Sequence, residues 1–252
     1  MPTRSTVIAR LRASGCVFAE DEAELIFSTA RTPHELDSMV ERRASGLPLE
    51  QVLGWAEFLG LRVSMAPGVF VPRRRTEFLV REAASLAGPG AVVVDLCCGS
   101  GALGVALASL LGHAELHAAD IDAAAVRCAR SNVTRGHVHE GDLYDALPGA
   151  LRGRVDVLLA NVPYVPTGEV ALLPAEARLH EARVALDGGP DGLDVLRRVT
   201  AQAPEWLAPG GHLLFETSKR QVAQAIEAVR AAGLTPEVRT SDDHDATIVI
   251  AA

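Results

Sequence analysis

Apolar positions along the first 46 residues recur at spacings of three and four: Val7, Ile8 and Leu11, then Ala23, Ile26, Phe27 and Ala30. Such spacing gathers them on one face of a helix, so residues 1–46 are expected to form a small helical subdomain. Asp21 and Thr32 stand where N-caps belong, with Pro33 after Thr32 at a first helical position. So short a segment cannot bury a robust core alone, and its helices should lean on the rest of the chain. Over residues 47–73 the pattern changes. Phe58 to Val63 reads as two short strands turning near Gly60, and Pro67-Gly68 is a second turn. This stretch is expected to be a hairpin linker.

From residue 74 to 252 strands and helices alternate, the pattern of a wound parallel sheet. Val92 to Leu96 is an apolar run bearing Asp95, Leu116 to Ala119 ends at Asp120, and Val155 to Ala160 ends at Asn161. A further strand is expected before Glu140-Gly141-Asp142-Leu143, and His212 to Phe215 follows the turn Pro209-Gly210-Gly211. Helices are expected over 102–111, 123–132, 193–207 and 221–232. Glu237 to Thr240 and Thr247 to Ile250 are too close for a helix between them, so they must pair antiparallel. The fold class is α/β. A parallel sheet that finishes with an antiparallel hairpin is the Rossmann-like layout of methyltransferases that use S-adenosylmethionine.

Candidate chemistry gathers at the strand ends. In Asp95-Leu96-Cys97-Cys98-Gly99-Ser100-Gly101 a buried strand passes into a helix, and the glycines permit a sharp turn with close backbone approach to a ligand. Amides at the helix N-terminus favour an anionic group: a methionine carboxylate in a methyltransferase, a pyrophosphate in a dehydrogenase. Gly99-x-Gly101-x-x-Gly104, with Asp120 downstream, also satisfies the dinucleotide fingerprint, which keeps a NAD-binding oxidoreductase open. Two acids weigh against it. Asp95 ends the first strand, and Asp142 follows the third, placed to accept from an adenine amino group. Three acids at three strand ends suit a cationic sulfonium nucleoside.

Asn161-Val162-Pro163-Tyr164 is the most informative stretch. Asn161 emerges from the carboxyl end of a buried strand, and its side-chain oxygen can accept from a planar NH₂ group. Pro163 biases Val162 towards an extended conformation that can aim its carbonyl at the same NH₂. Tyr164 offers a flat face to a planar amide or base.

Composition narrows the options. The net charge of −8 disfavours nonspecific nucleic-acid binding, which would call for a basic face. The four cysteines, Cys16, Cys97, Cys98 and Cys128, form no C-x-x-C pair, so neither zinc nor disulfides are suggested and no metal is expected. No apolar run is long enough to span a bilayer, and no signal pattern opens the chain, so a cytoplasmic location is expected. His180, His212 and His244 lie in no metal or triad spacing. Arg73-Arg74-Arg75 reads equally as a contact for an acidic substrate loop or as a solvated charge run.

On these residues the chain resembles the protein-(glutamine-N5) methyltransferases, which modify glutamine in peptide-chain release factors. The resemblance covers most of residues 47–252. It lies in Pro72 to Glu77, in Asp95 to Gly101, in Asn161 to Tyr164, and most specifically in the run from His180 to Leu193, with its Asp187-Gly188-Gly189-Pro190-Asp191-Gly192-Leu193. It implies that S-adenosyl-L-methionine is bound by Asp95, Cys97, Cys98, Gly99, Ser100, Gly101, Asp120, Asp142 and Leu143, with Asn161 between cofactor and substrate. It also implies that Asn161, Val162, Pro163 and Tyr164 hold a glutamine amide of a release factor. The chain departs from the family pattern at four places. Val162 replaces a proline, Cys97 stands where glycine is usual, Ala182 replaces a proline, and Arg74-Arg75 replaces a Pro-Glu pair. The helical segment is also short. These departures leave open an amide or amine of a small metabolite as the target, and adenine-N6 methylation is a further, disfavoured alternative.

Overall fold

The computed structural model describes residues 2–252. Four helices open the chain: α1 (Arg4–Ala13), α2 (Ala19–Thr29), α3 (Pro33–Ala44) and α4 (Leu49–Leu53). Thr32 caps α3 as expected, its hydroxyl accepting from the Glu35 amide at 3.1 Å with Pro33 first in the helix. Asp21 is not a cap. α2 begins earlier, after Phe18, and Glu20, Asp21 and Glu22 all fall in its first turn, where negative charge complements the helix dipole. The helices enclose their own apolar cluster, with Leu11, Ile26, Leu36 and Val40 at its centre. α4 lies within the stretch expected to be a linker.

β1 (Trp55–Phe58) and β2 (Leu61–Ser64) pair antiparallel, with Phe58 opposite Leu61. Leu59 and Gly60 both take positive φ (50° and 74°), the conformation of a two-residue type I′ turn. Trp55 packs against the helical cluster and Phe58 against the main core, so this hairpin joins the two.

The remaining elements are α5 (Glu77–Leu86), β3 (Ala91–Leu96), α6 (Ala102–Leu111), β4 (Ala114–Asp120), α7 (Ala123–Asn132), β5 (His137–Glu140), β6 (Val155–Ala160), α8 (Ala175–His180), α9 (Asp194–Trp206), β7 (Leu207–Glu216), α10 (Val222–Ala231), β8 (Pro236–Ser241) and β9 (Ala246–Ala251). The strands form one seven-stranded sheet in the order β5-β4-β3-β6-β7-β9-β8, parallel except for β9, which runs antiparallel to both β7 and β8. Every residue of β3 is buried, because helices cover both faces. Val94 and Leu158 face Val199 of α9 and Val229 of α10, while Val93 and Leu159 face Leu79 of α5 and Leu107 of α6. Pro209-Gly210-Gly211 does not precede a strand but bulges within β7, shifting its register against β6 between Val155 and Val157. β3 lies between β4 and β6, so the strand order reverses there. Open α/β sheets bind ligands at the carboxyl ends flanking such a reversal.

Candidate active site

The carboxyl end of β3 passes into a tightly turned loop. Cys97, Gly99 and Gly101 all take positive φ (54°, 56° and 77°), so the chain reverses within five residues before α6 begins. Glycine adopts such angles without strain, and Cys97 takes one with a side chain in place. A Cβ at Gly99 would meet nothing within 4 Å, leaving the loop open on that side. Gly104 is the opposite case. A Cβ there would lie 2.8 Å from Leu116 Cδ1 and 3.1 Å from Asp95 Oδ2, so this glycine lets α6 pack on the sheet.

Hydrogen bonding separates the loop amides that are spent from those that are free. The Cys98 amide donates to the Ala119 carbonyl at 3.1 Å and the Gly99 amide to Asp120 Oδ2 at 2.8 Å. Gly101 donates to the Cys98 carbonyl at 2.7 Å and caps α6; unlike its neighbours in the loop, it does not line the cleft. Among the described residues the Ser100 and Ala102 amides have no partner, and both residues line the cleft. An anion would meet these two donors.

The acids differ in environment. Asp95 is fully buried: Oδ2 accepts from the Gly104 amide at 2.9 Å, while Oδ1 has no partner. Burial, with the Asp120 charge adding, pushes its carboxyl up to about 7. An unpartnered, buried carboxylate oxygen at a ligand cleft fits a cationic donor such as an ammonium group. Asp120 accepts from the Gly99 and Asp122 amides at 2.8 and 2.9 Å, so it braces the glycine loop, and burial raises its pKa. Asp142 is ion-paired with Arg198 at 2.7 Å, and Leu143, at φ 49°, is buried beside it. Burial and the neighbouring acids push the Cys97 thiol far up, so it is no nucleophile.

These residues and Asn161 to Tyr164 line one cleft of about 530 Å³. Asn161 directly follows β6, and neither its side chain nor the Val162 carbonyl has a hydrogen-bond partner among the described residues. Tyr164 is anchored: its phenol donates to Glu216 Oε1 at 3.1 Å and accepts from Arg75. Burial and the Glu216 charge push that phenol up to about 12. The cleft therefore offers two free backbone amides and an unpartnered carboxylate oxygen at the end of β3, and an unpartnered side-chain amide at the end of β6.

Comparison with known proteins agrees. The methyltransferase small domain model matches residues 60–192. A release factor glutamine methyltransferase of Geobacter sulfurreducens is 40% identical over 75% of this chain and 68% of its own length. The chain belongs to the release factor glutamine methyltransferase family. It is thus an S-adenosylmethionine-dependent methyltransferase. Another relative, 36% identical over 88% of this chain and 78% of its own, is the 4-amino-L-phenylalanine/4-methylamino-L-phenylalanine methyltransferase of Streptomyces pristinaespiralis. A methyltransferase of Pyrococcus furiosus superposes with a TM-score of 0.58 at 14% identity, covering 76% of this chain and 88% of that one, which shows the fold.

The structure gives the run that carries the resemblance, His180 to Leu193, a packing role. Residues 186–192 fold back against Asn161 to Tyr164: Val165 donates to the Leu186 carbonyl at 3.1 Å and Gly188 to the Val165 carbonyl at 2.9 Å. A Cβ at Gly188 would lie 2.5 Å from the Pro163 carbonyl oxygen, and one at Gly192 2.3 Å from that of Tyr164. The glycines are therefore required by close backbone approach to the Asn-Val-Pro-Tyr loop. Of the run Arg73-Arg74-Arg75, Arg74 is exposed and has no partner among the described residues, while the other two arginines are ion-paired. Arg73 grips buried Glu181 at 2.6 Å, and Arg75 Nε donates to buried Glu216 at 2.7 Å. Glu216, which also accepts from Thr76 Oγ1 at 2.6 Å, escaped the sequence reading, as did Glu181 as a partner for Arg73. Nothing local marks Glu216, and Glu181, though it stands in the run that carries the resemblance, shows no local sign of its partner.

Proposed function

We propose that the chain methylates the side-chain amide nitrogen of a glutamine in a peptide-chain release factor. The observation that carries the reading is Asn161, an amide acceptor without a protein partner, standing beside the free Val162 carbonyl at the end of a central strand. An amide nitrogen shares its lone pair with its carbonyl and is a poor nucleophile. Two acceptors that hold both N–H bonds aim the nitrogen and stabilise the positive charge growing on it during attack. Its proton becomes acidic as the new N–C bond forms, so no strong base is needed, and the proton leaves to water. Tyr164, fixed through Arg75 and Glu216, presents its ring to the amide plane. S-adenosylmethionine, when bound, supplies the methyl group on an electrophilic sulfonium. The free Ser100 and Ala102 amides suit its carboxylate, Asp95 its ammonium, Asp120 its ribose hydroxyls, and Asp142 with Leu143 its adenine.

The net charge of −8 supports a protein substrate over nucleic acid. No helix among the described residues is long and apolar enough to cross a membrane, and a cytoplasmic location accords with a translation-factor substrate. The test incubates the chain with labelled cofactor and intact release factor. Asn161→Ala should lower kcat by about a hundredfold or more while cofactor still raises the melting temperature as it does for wild type. A variant that keeps most of its activity removes Asn161 from the mechanism. The Streptomyces pristinaespiralis relative favours a second reading, a small-molecule aryl amine. Label entering only the low-mass fraction of a cell extract would establish that reading instead.

A further inference from the structure

We propose that the N-terminal helices position the wall of the substrate site, through Arg43 and Gln51, which hold α8 at its two ends. The proposal rests on the reading that substrate lies beside Asn161. After Tyr164 the chain runs through short turns and α8 to Leu186, and Leu173, Glu176, Ala177 and Val184 of this segment line the cleft. The wall has little apolar anchorage of its own. Leu172, Leu179 and Val184 are 81%, 62% and 48% exposed, and α8 has six residues, too few for a helix to persist unaided. Polar links from elsewhere must hold it.

Those links come from the helical segment and the stretch of chain that follows it. Arg43 is buried, an unusual place for a charge that no catalytic step uses. Its guanidinium donates to both Glu22 oxygens at 2.5 and 2.9 Å, to the Leu47 carbonyl at 2.9 Å, and to Glu176 Oε1 in the first turn of α8 at 2.6 Å. At the other end of α8, Gln51 Nε2 donates to the His180 carbonyl at 3.1 Å. The rigid fork of arginine suits this sharing between two carboxylates, since each contact fixes the direction of the other. Arg73 and the Gly68 carbonyl hold the next residues, Glu181 and Ala182.

This arrangement separates two roles for the N-terminal helices. A docking face alone binds ground state and transition state alike, so damage to it raises KM and spares kcat. A clamp on the wall changes how the amide lies against Asn161, so loosening it lowers kcat even at saturating substrate.

The experiment uses the full chain. Glu176→Ala leaves Arg43 paired with Glu22, so the helices stay folded. Arg43→Met with Glu22→Gln removes the cation without stranding a buried carboxylate. In hydrogen exchange without substrate, both should speed exchange over residues 175–182 by about tenfold, with the sheet amides unchanged. Adding Glu176→Ala to the double variant should give no further increase. On release factor, Glu176→Ala should lower kcat about fivefold or more and leave the cofactor dissociation constant unchanged. Unchanged exchange in Glu176→Ala, or a loss confined to KM, overturns the clamp. Faster exchange in a protein whose wild type does not label release factor supports the clamp and removes the substrate reading.

Discussion

Asp95 offers a direct handle on cofactor binding, because its carboxyl is fully buried and sits near 7 in place of its ordinary 3.8. If its unpartnered oxygen receives the ammonium group of the cofactor, binding requires the ionised form and drives the proton off. Below pH 7 the ionised fraction falls tenfold per unit, so the dissociation constant for S-adenosylmethionine should rise roughly tenfold between pH 8 and pH 6. Calorimetry at pH 6.5, in two buffers of different ionisation enthalpy, should show most of one proton released per cofactor bound. Asp95→Asn keeps an oxygen for the Gly104 amide but cannot ionise, so its affinity should be weaker and flat across this range. The same proton governs the cofactor-free fold. A carboxyl whose pKa is higher folded than unfolded takes up a proton on folding. Its contribution to stability is therefore complete below about pH 4 and is lost as pH rises through about 7. Wild-type affinity that is flat from pH 6 to 8, or the same tenfold slope in Asp95→Asn, would refute the assignment.

Other substitutions probe the remaining parts of the cleft. Tyr164→Phe and Glu216→Gln should each lower kcat about tenfold, and the double variant should be no worse than either, as measured by steady-state kinetics on a common substrate. Gly192→Ala forces a Cβ against the Tyr164 carbonyl at a positive φ, and should cost at least about tenfold in kcat while cofactor thermal shifts persist. Cys97→Gly relieves a left-handed residue and should raise stability in urea by roughly 0.5–1 kcal/mol, whereas Cys97→Val should lower it by roughly 2 kcal/mol.

What the sequence made legible follows from how local each determinant is. The spans 102–111, 123–132 and 155–160 coincide with α6, α7 and β6, because period and punctuation lie within the segment itself. The strand-end acids and Asn161 were readable for the same reason. Local signals also misled. Asp21 has cap chemistry, but α2 had already begun at Ala19, and Pro209-Gly210-Gly211 has turn chemistry yet bulges within β7. Least legible were pairings across the fold: Arg73 with Glu181, Arg75 with Glu216, Arg43 with Glu176. Each joins residues more than a hundred positions apart, so the partner depends on topology and leaves no mark on its neighbours in the chain.

That division runs through the cleft itself. On the proposed reading the cofactor side is assembled from consecutive strand ends, each acid set by the strand that precedes it: Asp120 braces the glycine loop through Gly99, Asp95 holds Gly104 of α6, and Asp142 pairs with Arg198. The proposed substrate side is assembled from distant pieces: the Asn-Val-Pro-Tyr loop, its glycine brace at 186–192, the Arg75–Glu216 anchor, and a wall held from the N-terminal helices. Altering the wall or its links leaves the strand ends in place, so the target can diverge while cofactor use is kept. Relatives named for a release factor glutamine and for an aryl amine, at 40% and 36% identity to the same chain, are what such an architecture permits. Substrate choice in this chain should therefore track residues 162 and 173–186 and the helices that hold them, and not the glycine loop. Exchanging that wall with the corresponding segment of the Streptomyces pristinaespiralis relative should shift methyl transfer between the two targets at unchanged cofactor affinity. A chimaera that keeps its original substrate would place specificity elsewhere in the cleft.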